Sequence, residues 1–131
     1  MEATTDQLAA LSDDDHDGPV VMMNLLKYRA KSGDGAGSGR DAYVRYSRGF
    51  VPLLKRCGGT VLWAGDVTGV ALGDDDADDW DYAVLVRYPD RQAFVDTMRS
   101  AEYRAINADR LAGLAKHVIL AVSESYSKFA S

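Results

Sequence analysis

The chain reads as an α+β fold of βαββαβ type, and three features of its middle third predict this. An amphipathic, cationic helix beginning at Arg40 stops at Cys57-Gly58-Gly59. A strand carrying Trp63 follows, and beyond an acidic connection a second strand closes on Tyr88-Pro89-Asp90, where a new helix starts. Helix, hairpin and new helix in that order form the centre of such a unit, an architecture that leaves room for a small molecule between sheet and helices.

Residues 5–11 read as a short helix capped by Thr4 or Thr5, leading into the polar run Asp13-Asp14-Asp15-His16-Asp17-Gly18 before Pro19. Residues 20–28 are apolar almost throughout, as a buried central strand requires. Residues 30–39 hold four glycines among small polar groups and are expected to form a mobile loop, with a pocket lid as one use for it.

From Arg40 the period becomes 3.6, placing Tyr43, Tyr46, Ser47, Phe50, Val51, Leu54 and Cys57 on one side of a helix. Pro52 falls on the polar side, where it is expected to kink the helix and free the carbonyl of Arg48. Gly58 or Gly59 supplies the left-handed cap. Residues 60–70 and 80–88 read as strands joined by a solvated connection with five acids. Asp90 caps a helix through Met98, Ser100 caps another over 101–114, and residues 117–122 form the last strand.

The length of 131 residues fits one domain over 1–131, with 1–18 as an N-terminal extension and 123–131 as a tail. A formal charge of −5 repels phosphate backbones and anionic lipid, so neither nucleic acid nor membrane is expected as a partner. Cys57 is the single cysteine, which excludes an intramolecular disulfide and a C-x-x-C pair. Without a signal-peptide pattern or a membrane-length apolar run, the expected location is cytoplasmic. A four-stranded sheet with both helices on one side leaves its other face bare. If that face carries Val21, Met23 and Leu25, it needs a cover, and the simplest is a second copy of the chain.

The stretch 24–124 resembles the dimeric α+β barrel superfamily, and within it the group called domain of unknown function 1330. The resemblance is carried by Ala42-Tyr43-Val44-Arg45-Tyr46, Gly58-Gly59, Gly65, Tyr88-Pro89-Asp90, Ser100-Ala101-Glu102-Tyr103 and Arg110. It implies a ferredoxin-like four-stranded antiparallel sheet with helices on one face, assembled as a homodimer. The superfamily includes cofactor-independent monooxygenases, lactone isomerases, polyketide cyclases and haem proteins, and this group has no settled catalytic motif to carry over. The glycine loop and Asp-rich hairpin are longer than is usual there, and Met98 stands where an aromatic residue is common.

Asn24 interrupts an apolar strand, so its amide must find backbone partners or a ligand. Arg110 shares a helix stripe with Tyr103, Ile106 and Leu114; it either pairs with a carboxylate such as Asp66 or Asp81 or anchors a substrate carboxylate or enolate. Tyr43, Tyr46, Phe50, Trp63 and Tyr103 are candidate core or pocket-wall aromatics. His117, at the start of the last strand, is either a general base or an edge residue facing water.

Ser47 lacks a sequence-near histidine to activate it. Asp13, Asp15, Asp17 and Gly18 open like a calcium loop, but Asn24 stands where the closing Glu belongs. Gly33, Gly35, Gly37 and Gly39 do not have dinucleotide-fingerprint spacing. No metal or other cofactor is expected; haem, with His117 as axial ligand, is an alternative resting on the superfamily kinship alone. The expectation is a homodimeric, cofactor-independent enzyme acting on a small oxygenated metabolite by proton transfer or oxygenation. Arg110, Tyr46 and His117 are its catalytic candidates, and Asn24, Tyr43, Phe50, Trp63 and Tyr103 its ligand-binding ones. A non-catalytic ligand-binding or accessory protein is the alternative.

Overall fold

The computed structural model describes residues 5–12, 18–74 and 79–128. The elements run α1 (Thr5–Ser12), β1 (Val20–Tyr28), α2 (Gly39–Arg56), β2 (Thr60–Asp66), β3 (Tyr82–Tyr88), α3 (Arg91–Arg99), α4 (Ala101–Gly113) and β4 (Leu114–Val122). The four strands form one antiparallel sheet in the order β2-β3-β1-β4. The acidic turn over 13–17, and with it the calcium-loop question, lies outside the described residues.

β1 occupies the centre because it is the most apolar strand, and its alternate residues Val20, Met22 and Leu26 are buried toward the helices. α2 starts in a capping box, in which the Ser38 hydroxyl accepts from the Asp41 N–H and the Asp41 carboxylate accepts from the Ser38 N–H. Its buried stripe is Ala42, Tyr46, Phe50 and Leu54. The helix runs through exposed Pro52 without a break and ends at Gly58, whose φ of 84° is the left-handed cap expected there. α3 and α4 begin at Asp90 and Ser100, each accepting from a first-turn N–H.

The helices meet at glycines. A Cβ at Gly49 would stand 2.7 Å from Ile106 Cγ2, so this glycine lets α4 lie close on α2. At the far end the backbones of Gly39 and Gly113 cross closely, and a Cβ on either residue would strike the carbonyl oxygen of the other at 2.5 Å. The Arg29 N–H donates to the Gly113 carbonyl and the Gly39 N–H to the Arg29 carbonyl, fastening the end of β1 to that crossing.

Three expectations need correction. β2 stops at Asp66 rather than running to residue 70, and β3 begins at Tyr82 rather than Trp80, because the ladder ends where the Val67 N–H reaches the Asp81 carbonyl. β4 begins at Leu114, directly from α4, rather than at His117. The glycine segment is held rather than loose. Ser32 is buried, its N–H donates to the Gly37 carbonyl, the Gly33 N–H donates to the Ala112 carbonyl, and Arg45 pairs with Asp34. Glycine content favours disorder only where nothing compensates the ordering cost, and here the segment itself, α2 and α4 each supply a partner.

Candidate functional site

Two chambers lie between the sheet and its helices. The larger, about 480 Å³, is bounded by α1, α3, α4 and β4; the smaller, about 190 Å³, lies under α2 against β2 and β3. Met22, Phe94, Met98, Tyr103, Arg110 and Ile119 border both, so these residues form the partition between them. None of residues 30–39 lines either chamber, so the glycine segment does not cover them.

Arg110 is the centre of the partition. It is 4% exposed, and its position on the inner stripe of α4 drives the guanidinium toward the sheet. No carboxylate meets it among the described residues: Asp66 pairs with Arg40, and Asp81 accepts from the Tyr28 N–H. Its Nη1 instead lies 2.8 Å from His117 Nδ1. Its Cζ sits 6.0 Å from the Tyr46 ring centroid, within cation–π range. Nη2 is buried without a hydrogen-bond partner. A buried guanidinium with no counter-charge costs several kcal/mol unless something else supplies one.

Around Arg110 the aromatic residues interlock. The Tyr46 hydroxyl donates to that of Tyr103 at 3.2 Å, and the Tyr46 ring stacks on Phe50 with centroids 5.4 Å apart. Burial, then the neighbouring Tyr103, pushes the Tyr46 hydroxyl well above the usual phenol range. At neutral pH Tyr46 is therefore an uncharged phenol, and its hydroxyl is given to Tyr103. Burial likewise raises Tyr43. Asn24 spends its amide on the carbonyls of Met22 and, at a longer 3.4 Å, Val84, which is the structural use of that residue at the edge of the smaller chamber.

Of the eight residues singled out in the sequence, the fold brings seven to these chambers: Asn24, Tyr43, Tyr46, Phe50, Tyr103, Arg110 and His117. Trp63 is the exception. It stands on the opposite face of the sheet, 47% exposed, with its ring across Gly65. The cause is a bulge. Val61 pairs with Val86 and Trp63 with Leu85, so Leu62 is an extra residue that reverses the alternation and turns Trp63 outward.

The sequence reading missed Gln7, Leu8, Ala10 and Leu11 of α1, which line the larger chamber, and Asn107, which lines it one helical turn before Arg110. The pair Leu8 and Leu11, at a spacing of three, was the available signal for an inward helix face. Asn107 lies on the Arg110 stripe and was legible by the same rule.

Residues 38–124 match the family described as domain of unknown function (DUF1330). The chain belongs to this family. A comparison with curated proteins finds no match. Among solved structures, this DUF1330 chain is similar to a protein of unknown function from Rhodopseudomonas palustris, 28% identical over 95% of each chain with a TM-score of 0.85. It is also similar to hydroxynitrile lyase from Passiflora edulis, at 14% identity over 86% of this chain and 100% of that one, TM-score 0.61. A dimeric ferredoxin-like protein of unknown function from Thermobifida fusca is 16% identical over 83% of this chain and 93% of that one, TM-score 0.54. The latter two likenesses concern fold alone. They agree with the strand order in giving this DUF1330 chain a ferredoxin-like α+β fold. No helix among its described residues is long and apolar enough to cross a membrane.

Proposed function

We propose that this protein is a homodimeric enzyme that needs no cofactor and moves a proton on a small, partly apolar metabolite carrying a carbonyl or carboxylate oxygen. The observation that carries the reading is the buried Arg110, with Nη1 on His117 Nδ1 and Nη2 without a partner at the wall of a chamber large enough for a metabolite. The guanidinium keeps Nδ1 unprotonated. When a substrate oxygen draws Arg110 to itself, the lone pair of Nδ1 is released to accept a C–H proton from the carbon beside the carbonyl. The C–H electron pair passes to the oxygen, where Arg110 offsets the enolate charge. His117 then returns the proton to carbon, giving exchange or isomerisation, or the enolate carbon bonds to dioxygen and the proton goes to the resulting peroxide. Phe50, Tyr43 and Tyr103 keep the smaller chamber apolar, and Tyr46 holds Tyr103 in place.

Support for the dimer comes from the other face. Trp63, Leu85, Met23 and Leu120 stand in one row across all four strands, and Trp63 and Leu120 are about half exposed. Such a row is an interface in the making.

The test uses purified protein in deuterated water with a panel of small 2-oxo acids and β-dicarbonyl compounds, followed by NMR. Deuterium wash-in beside the carbonyl, lost in Arg110→Met and His117→Gln, is expected. Saturable binding with no wash-in across the panel would place the protein among non-catalytic binders.

A further inference from the structure

The charge balance of the larger chamber narrows what enters it. The chain as a whole carries −5, yet among the described residues no Asp or Glu lines the chamber, while Arg110 and Arg104 both do. Arg104 spends an N–H on the Arg99 carbonyl near the surface. Arg110 is buried, and its Nη2 has no hydrogen-bond partner among the described residues. The remaining wall is mostly hydrocarbon, from Leu8 and Leu11 of α1 and from Met22, Phe94 and Met98. A volume of about 480 Å³ suits a ligand on the order of fifteen non-hydrogen atoms, taking roughly 30 Å³ per water-sized group.

We infer that the larger chamber is a site for a monoanionic carboxylate with an apolar body, its head on Arg110 Nη2 and its length limited by α1. This rests on reading the chamber as the ligand site of the proposed enzyme. A guanidinium in a low-dielectric wall favours an anion over its neutral isostere, because only the anion supplies the missing counter-charge. One such cation among apolar side chains matches one charge and a hydrocarbon tail. α1 is eight residues long and meets the rest of the fold chiefly at α3, so the faces of Leu8 and Leu11 set how far the tail extends.

Titration calorimetry on the intact chain at neutral pH, with straight-chain carboxylates from butanoate to decanoate and their matched primary amides, tests this. A single optimum of chain length is expected, with each acid near it binding at least tenfold more tightly than its amide. Arg110→Met is expected to erase that preference, and Leu11→Ala to move the optimum to a longer chain. The acid-over-amide comparison on the unaltered protein stands even if the Arg110 variant fails to fold. Equal binding of acids and amides overturns the carboxylate assignment while leaving the chamber a ligand site. An optimum unmoved by Leu11→Ala in a folded protein overturns the role of α1. Absence of binding by both series overturns this inference, and wash-in of deuterium into a neutral dicarbonyl would then show the proposed function surviving without it.

Discussion

Arg110 Nη1 lies 2.8 Å from His117 Nδ1, and because a guanidinium only donates, the imidazole must accept at that nitrogen. The two residues are seven apart in sequence, one on the last turn of α4 and the other on the strand that leaves it, so the abrupt helix-to-strand change at Leu114 is what brings them together. A longer connection would separate them.

The pairing sets the tautomer of His117. Nitrogen-detected NMR at neutral pH is predicted to show Nδ1 unprotonated and Nε2 carrying the proton. His117→Ala leaves Arg110 Nη1 without its acceptor and is expected to lower unfolding free energy by about 2 kcal/mol, read by urea denaturation. His117→Gln, which keeps an acceptor, is expected to recover part of the loss.

Tyr46→Phe removes the hydroxyl bond to Tyr103 while keeping the ring stacked on Phe50. Its predicted cost is about 1 kcal/mol in the same denaturation measurement. Because the Tyr46 hydroxyl is uncharged and bonded to Tyr103, deuterium wash-in is expected to slow less than tenfold. A complete loss would move the proton-transfer role from His117 to Tyr46.

High pH is predicted to destabilise the fold. Burial raises the Tyr28 hydroxyl to about 12, with the Arg40 guanidinium offsetting part of the effect. Burial also raises Tyr43, Tyr46 and Tyr88. Unfolded tyrosine ionises near pH 10, so between the two values the unfolded chain releases protons that the folded chain keeps. The resulting stabilisation is complete below about pH 10 and is lost as pH rises toward 12 and beyond. Melting temperature followed by circular dichroism is expected to stay level through about pH 9 and then fall.

The row Trp63, Leu85, Met23 and Leu120 is predicted to hold two copies together. Leu120→Glu places an unpaired charge in it and is expected to convert a dimer to a monomer in sedimentation, with far-ultraviolet circular dichroism unchanged because the side chain points away from the core. An unaltered dimer would locate the interface elsewhere.

How far the sequence reached depended on whether each signal was local. β1 over Val20–Tyr28 was legible as a nine-residue apolar run, and the starts of α3 and α4 were legible in Asp90 and Ser100, which cap within three residues of themselves. The convergence of Arg110, Tyr46 and Tyr103 followed from helix stripes. The glycine segment was not legible, because its partner Ala112 is some eighty positions away. Nor was the outward turn of Trp63, because the bulge at Leu62 exists only in the pairing with β3. The end of β2 is likewise a property of the partner strand. The link from Arg110 to His117 needed the helix to end at Gly113, where Gly39 crosses.

The most direct measurement is a crystal structure of the protein soaked with octanoate. A carboxylate oxygen is expected within hydrogen-bond distance of Arg110 Nη2, with the hydrocarbon chain lying against Leu11 and Met98. Octanoate bound elsewhere, with Nη2 still lacking an acceptor, would contradict it.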